Sequence, residues 1–351
     1  MTSTNRKLSR IALVCLTPTV DSHEHEGAEL PSYGIHRVLA AVVAHPKLAD
    51  VEVQLFDLEA EHVNGYVEDL LAFDPQVVGF SLFVWSMDCL IQVARRIKQR
   101  LPNCAIVFGG PSARPPVLEL PHYRNAIDYV DAVVTREGEE TFCEIALAVR
   151  SKLATASMLD TLRHVPGLEL PTLLGWQNTG YKAPPANLDS IASPYQMGLM
   201  SYQSVGYLES FRGCPMSCTF CEWGAKDISK GCFSEQYMTR ELEALQANDC
   251  PAVFNVDAGL NLNKAAFRNL ANAEKNVGFL KDSQLWCEIY PSMIGDEHIE
   301  FLGNCGPSYL VLKQAYGERS KRLDFGAACS EARRIGIRFG HSSGFTFRRV
   351  A

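Results

Sequence analysis

Three cysteines stand at C-x3-C-x2-C spacing in Cys214-Pro215-Met216-Ser217-Cys218-Thr219-Phe220-Cys221. Thiolates are soft ligands suited to iron–sulfur clusters and to zinc. A four-iron–four-sulfur cluster normally takes four thiolates, one per iron. Three in one loop would hold three irons and leave the fourth open to a small molecule that binds through an amine and a carboxylate. A zinc site with Cys232 as fourth ligand is an alternative. Structural zinc usually draws on paired C-x2-C units, however, and no second pair follows. Three merely buried thiols are the remaining reading. The other cysteines, Cys15, Cys89, Cys104, Cys143, Cys250, Cys287, Cys305 and Cys329, sit mostly in apolar surroundings, as buried structural thiols do.

Something must hold that loop, and the flanking pattern predicts α/β architecture on both sides of it. Upstream, Ile11–Leu16, Val51–Phe56, Val77–Phe83, Ala105–Phe108 and Val130–Val134 read as strands. Ile35, Val38, Leu39, Val42 and Val43 share a helical face, as do Leu90, Val93, Ile97 and Leu101. This alternation predicts a doubly wound parallel sheet, whose ligands bind beyond the carboxyl ends of the strands. Those ends carry Gly79-Phe80-Ser81, Gly109-Gly110-Pro111-Ser112 and Arg136-Glu137-Gly138-Glu139-Glu140-Thr141. From 151 to 204 periodicity fades, and Thr179-Gly180 and Ala183-Pro184-Pro185-Ala186-Asn187 read as turns. Tyr207–Phe211 then opens a βα barrel with the cysteine loop at its carboxyl end, where barrel enzymes build their sites. Ser234 can cap a helix, and Ala252–Val256, Leu285–Ile289, Tyr309–Leu312 and a run beginning at Ile335–Phe339 continue the strands.

The cysteine spacing, Phe220 before the last cysteine and the preceding strand resemble the radical S-adenosylmethionine signature. With the upstream strand ends and Ser32-Tyr33-Gly34-Ile35, the chain resembles the cobalamin-dependent radical S-adenosylmethionine enzymes over 8–150 and 184–345. The resemblance implies a flavodoxin-like cobalamin-binding domain at 1–150, a linker at 151–204 and a radical S-adenosylmethionine domain, a partial βα barrel, at 205–351. Such barrels usually have six strands, so this one is expected to be short or incomplete. By the same resemblance Cys214, Cys218 and Cys221 hold a 4Fe-4S cluster, and Ser81, Gly109, Gly110 and Gly138 line cobalamin. Phe220, Asp257, Gly259, Glu288 and Gln314 contact S-adenosylmethionine: Asp257 and Gly259 at the methionine amino group, Glu288 or Gln314 at the ribose. Asp257-Ala258-Gly259 stands where the family has Gly-Gly-Glu, and helix capping is the alternative for Asp257 and Asn261. A plain structural role is the alternative for each cobalamin-lining residue. Trp223, in Glu222-Trp223-Gly224, would flank the cluster or simply pack. Asp21-Ser22-His23 begins the Asp-x-His-x-x-Gly motif of a lower cobalt ligand, but Glu26 occupies the glycine position and Gly27 comes one residue late. A solvated loop is the preferred reading there.

The implied reaction is reductive cleavage of S-adenosylmethionine, hydrogen abstraction from an unactivated carbon or a phosphinate, and methyl transfer by way of cobalamin. No side chain is assigned as a catalytic acid or base. Ring contraction, cyclisation or another rearrangement is the alternative outcome, and a cofactor-binding protein without turnover is the non-enzyme reading. The 351 residues carry a net charge of −7 with no Lys/Arg block, which argues against nucleic acid and anionic membranes as partners. A small-molecule substrate and an electron donor are the partners expected. No apolar run approaches the length of a bilayer span. Free thiols and an oxygen-sensitive cluster suit a reducing cytoplasm.

Overall fold

The computed structural model describes residues 8–17, 30–58, 62–216, 218, 221, 231–312, 337–339 and 347–349. The chain divides into two compact units, Met1–Glu24 with Ser32–Ala183 and Ala192–Met197, and His25–Pro31 with Pro184–Ile191 and Gly198–Ala351.

The first unit is built on β1 (Arg10–Cys15), β2 (Glu52–Asp57), β3 (Val77–Ser81), β4 (Ala105–Gly109) and β5 (Ala132–Val134). They pair in parallel in the order β2-β1-β3-β4-β5, a doubly wound arrangement whose strand order reverses between β1 and β3. β3 and the apolar part of β4 are buried throughout because helices cover both faces of the sheet. Helices α1 (Tyr33–Ala44) and α5 (Glu139–Arg150) pack together, as do α2 (Val63–Phe73) and α3 (Met87–Arg100), with the short α4 (Pro115–Leu118) lying between β4 and β5 in the chain. Tyr66, Leu70, Leu90, Val93 and Ile97 meet Ala12, Val14, Val78, Phe80, Ile106 and Phe108 in the main core. Close packing of Phe142 on α5 against Gly79 leaves no room for a Cβ, which would stand 2.6 Å from the ring.

The stretch expected to be a linker is partly structured. A short helix α6 (Met158–Leu162) is capped by Ser157, whose hydroxyl accepts from Asp160 N at 3.0 Å. Strands β6 (Leu168–Thr172) and β7 (Gly175–Asn178) then extend the first sheet as an antiparallel hairpin beside β5. Alternating Leu168 and Leu170 supply the buried side of β6. Four or five residues interrupted by Pro171 give too short a period to stand out in the sequence.

The second unit repeats βα in chain order: β8 (Gly206–Leu208), α7 (Glu235–Ala247), β9 (Ala252–Asn255), α8 (Lys264–Val277), β10 (Gln284–Ile289), α9 (Asp296–Asn304) and β11 (Ser308–Leu312). The four strands are parallel in the order β11-β10-β9-β8, an open run of barrel-like βα units. Ser234 caps α7, accepting from Tyr237 N at 3.1 Å, as its type predicts. Asn263 caps α8, and Gly278, at φ 72°, ends it. The fifth strand expected near Ile335–Phe339 is a correction: β12 (Ile337–Phe339) pairs antiparallel with β13 (Phe347–Arg349) in a separate two-stranded sheet. An isolated apolar run does not declare its partner, and here β13 supplies one.

The two faces of this parallel sheet differ. Leu208, Val253, Leu285, Cys287, Ile289 and Leu310 are buried, and Leu245 of α7 packs so tightly on Gly206 that a Cβ there would lie 2.7 Å away. The register places Tyr207, Phe254, Trp286 and Tyr309 side by side on the other face. Ring centroids are 6.2 Å apart for Tyr207–Phe254 and 4.9 Å for Trp286–Tyr309.

Candidate functional site

The chain leaves β8 through Glu209, Ser210, Phe211 and Arg212 into the cysteine loop. Cys214, Cys218 and Cys221 are free thiols, the first two partly buried and the third exposed. Met216 N donates to Cys214 Sγ at 3.4 Å, and Cys221 N to the Cys218 carbonyl at 3.1 Å. The base of the loop rests on an apolar cluster of Phe211, Ala258, Leu262, Ala266 and Tyr290, against which Cys214, Met216 and Cys232 pack. Burial raises the Tyr290 phenol to about 12, reinforced by the negative charge of Cys214, Cys218, Glu288 and Cys221. All three motif sulfurs are therefore near enough to this phenol to act on its charge.

Cys232 behaves differently. It is bridged to Phe211 through the backbone, and burial, with Asp189 nearby, raises its thiol and favours the protonated form. Among the described residues no three His, Cys, Asp or Glu groups gather around one point as a single ion requires. The thiolates of a cubane bind different irons and need not converge in that way.

Beyond β9 lies Asp257, fully enclosed. Its Oδ1 accepts from Ser210 N at 2.8 Å and Phe211 N at 3.3 Å. Its Oδ2 accepts from the Ser210 hydroxyl at 2.5 Å and Asn255 Nδ2 at 2.8 Å. Burial pushes this carboxyl up to about 6, and the hydrogen bonds from Ser210, Asn255 and Phe211 oppose the shift. Asp257 caps no helix, and neither does Asn261, which brackets the Tyr290 backbone by accepting from its N at 2.9 Å and donating to its O at 2.8 Å. Asn263 takes the capping role instead. Gly259 passes so close to Tyr290 that a Cβ would stand 2.9 Å from the ring. Glu288 follows Trp286 by two residues on β10 and so shares the face of the aromatic row, while the Glu288 carbonyl accepts from Leu260 N at 2.8 Å.

In the first unit, Ser81 and Gly109 end adjacent strands and pair in register. Gly110 has φ 91°, and a Cβ there would lie 2.7 Å from the Leu82 carbonyl oxygen, so the backbone itself demands glycine. Gly109 is different: a Cβ would meet only the Phe80 carbonyl, at 3.9 Å, which leaves open space at the strand end. Gly138 precedes α5, and a Cβ there would stand 3.4 Å from the Val38 side chain of α1. Asp57, at the end of β2, gathers Thr17 N at 3.0 Å, the Thr17 hydroxyl and the Cys15 thiol, and so fixes the chain leaving β1.

Residues 27–146 match the B12 binding domain family. The 2-(S-pantetheinyl)-carbapenam-3-carboxylate methyltransferase of Streptantibioticus cattleyicolor is 28% identical over 208 residues, 54% of this chain and 28% of the relative. The cobalamin-dependent radical SAM methyltransferase TokK of Streptomyces tokunonensis is 31% identical over 217 residues, 58% of this chain and 29% of the relative. The chain thus matches less than a third of the length of these two relatives. Among solved structures, the radical S-adenosylmethionine methyltransferase TsrM of Kitasatospora setae superposes with a TM-score of 0.67 at 18% identity, covering 93% of this chain and 65% of that one.

Over more than half its length the chain is thus similar in sequence to cobalamin-dependent radical S-adenosylmethionine enzymes.

The donor chemistry suits both groups the family implies. Three free thiols on one loop at a strand's carboxyl end match a cluster with an open iron. At the carboxyl end of β4 the bare Gly109 leaves open space, while Ser81 beside it is buried. Phe220, Gln314, Trp223 and the Asp21/His23 segment lie outside the described residues. Sequence reasoning missed Ser210 and Asn255; the signal was the two-residue step from Asn255 to Asp257, which puts both on one side of the strand. Among the described residues no helix is long and apolar enough to cross a membrane.

Proposed function

We propose that this chain is the cofactor-binding core of a cobalamin-dependent radical S-adenosylmethionine methyltransferase acting on an unactivated carbon or a phosphinate of a small molecule, with a separate electron donor. The observation that carries the reading is the Cys214-x3-Cys218-x2-Cys221 loop at the carboxyl end of β8, in a parallel βα unit that follows a B12 binding domain. The bound groups would supply one-electron cleavage of S-adenosylmethionine and a methyl carrier, chemistry that side chains cannot provide. The chain's own residues position those groups. Cys214, Cys218 and Cys221 would hold the cluster, Glu288 on the aromatic face of β10 would reach the ribose, and Gly259 would lie at the methionine end. Ser81, Gly109, Gly110 and Gly138 would border the corrin. A reducing cytoplasm is the setting these thiols suit.

The test is anaerobic reconstitution with iron, sulfide and hydroxocobalamin, then incubation with reductant and S-adenosylmethionine. The expected result is about four irons and one cobalt per chain, with 5′-deoxyadenosine and S-adenosylhomocysteine both formed. Cys218→Ala should lose the iron and the 5′-deoxyadenosine together. 5′-Deoxyadenosine without S-adenosylhomocysteine would favour rearrangement, and full loading without either product would leave a cofactor-binding protein.

A further inference from the structure

We infer that Asp257 is a positioning residue for the cysteine loop and not a contact to the methionine amino group. The inference rests on the cluster reading above and assigns this carboxylate a role within it. Three observations carry it.

The first is direction. The register pairs Leu208 with Asn255 and Val253 with Leu285, on the face that packs against α7. Asp257 lies two residues beyond Asn255, and the ladder continues past the strand through Val256 N to the Leu208 carbonyl at 2.9 Å. Period-two alternation therefore puts Asp257 on the helix-covered side, away from Glu288 and the aromatic row. The second is saturation. Its two oxygens already accept four hydrogen bonds, and the residue is 2% exposed. A carboxylate so engaged has little capacity left for an ammonium group. The third is what it holds. Ser210 and Phe211 are the last residues of the β8 exit before Arg212-Gly213-Cys214, and both their backbone N–H groups end on Asp257 Oδ1. The opposite side of the exit is pinned by Phe233 N donating to the Ser210 carbonyl at 3.0 Å and Arg212 N to the Gly231 carbonyl at 3.1 Å. Asp257 thus ties the end of β9 to the stem of the loop that carries all three thiols.

The brace should show as cluster retention. Reconstituted protein is challenged anaerobically with a ferrous chelator, and bleaching of the cluster absorbance is followed in the wild type, Ser210→Ala, Asp257→Asn and Asp257→Ala. Asn keeps one oxygen for the two N–H groups, and Ser210→Ala removes one bond only. Ser210→Ala should therefore speed iron loss by about fivefold, the equivalent of one hydrogen bond, Asp257→Asn, whose amide nitrogen cannot accept the two bonds made to Oδ2, by more, and Asp257→Ala by most. The electron paramagnetic resonance spectrum of the reduced cluster should still change on adding S-adenosylmethionine in the Asn and Ser210→Ala variants, and cobalt loading should match the wild type in all. If Ser210→Ala and Asp257→Asn bleach at the wild-type rate, the inference is overturned. It is overturned equally if Asp257→Asn keeps its cluster and loses only the spectral response to S-adenosylmethionine. Should Asp257→Ala fail to fold, the two milder variants decide. A wild-type protein that takes up no iron would sink the proposed function instead, a distinct result.

Discussion

Asp257 also sets a pH dependence. Its folded value of about 6 lies above the ordinary 3.8, with burial as the leading cause. Folding therefore favours the protonated form. That stabilisation is complete below about pH 4 and is lost as pH rises through 6, a swing of about 3 kcal/mol for a group this enclosed. Asp257→Asn has no proton to lose. Urea titrations followed by circular dichroism should show the wild type losing stability relative to this variant between about pH 4 and 6.5; parallel profiles would contradict the assignment. Glu288 is the complementary case, on the aromatic face and only partly buried. Glu288→Ala should weaken S-adenosylmethionine binding about tenfold, the loss of one charged hydrogen bond, with iron content unchanged. A spectral titration of the reduced cluster would read both.

At the scale of elements, glycine and asparagine carry the tight places. Gly110→Ala meets both a left-handed φ and the Leu82 backbone, so a loss of about 1–3 kcal/mol is expected, together with weaker cobalamin retention as the β4 exit shifts. Thermal unfolding with and without hydroxocobalamin measures the two effects. Asn263→Ala removes the cap whose oxygen accepts from Ala265 N and Ala266 N, each at 3.1 Å. About 1 kcal/mol of stability should go with it, read as a lower denaturation midpoint. Ser234 is recognisable as a cap in the sequence because an apolar helical face follows it at once. Asn263 is not, because Asp257 and Asn261 are equally good capping types just upstream, and only the fold shows that both are engaged elsewhere.

Over the whole molecule, each unit has its own sheet and core, so iron and cobalt loading should be separable. Cys218→Ala is expected to bind cobalamin as the wild type does, and Gly110→Ala to keep its iron. Metal analysis of the two variants side by side checks this, and joint loss of both metals in either one would contradict it.

Much of this was legible in the residues. Strands buried on both faces must be apolar throughout, so β1, β3 and β4 announce themselves, and βα alternation then restricts the sheet to parallel order. The cysteine motif is local in sequence, because one loop must supply all three sulfurs, and it needs no tertiary knowledge to be seen. Short strands such as β6 and β7 give too little period to register, and β12 could be assigned to a sheet only once its neighbour was known. The role of Asp257 lay further out of reach. Its type and place at a strand end suit a ligand contact, and its partners on the loop stem are 46 and 47 residues away in the chain. Which side of a strand faces the helices is fixed by register with its neighbours, and register is a property of the assembled sheet.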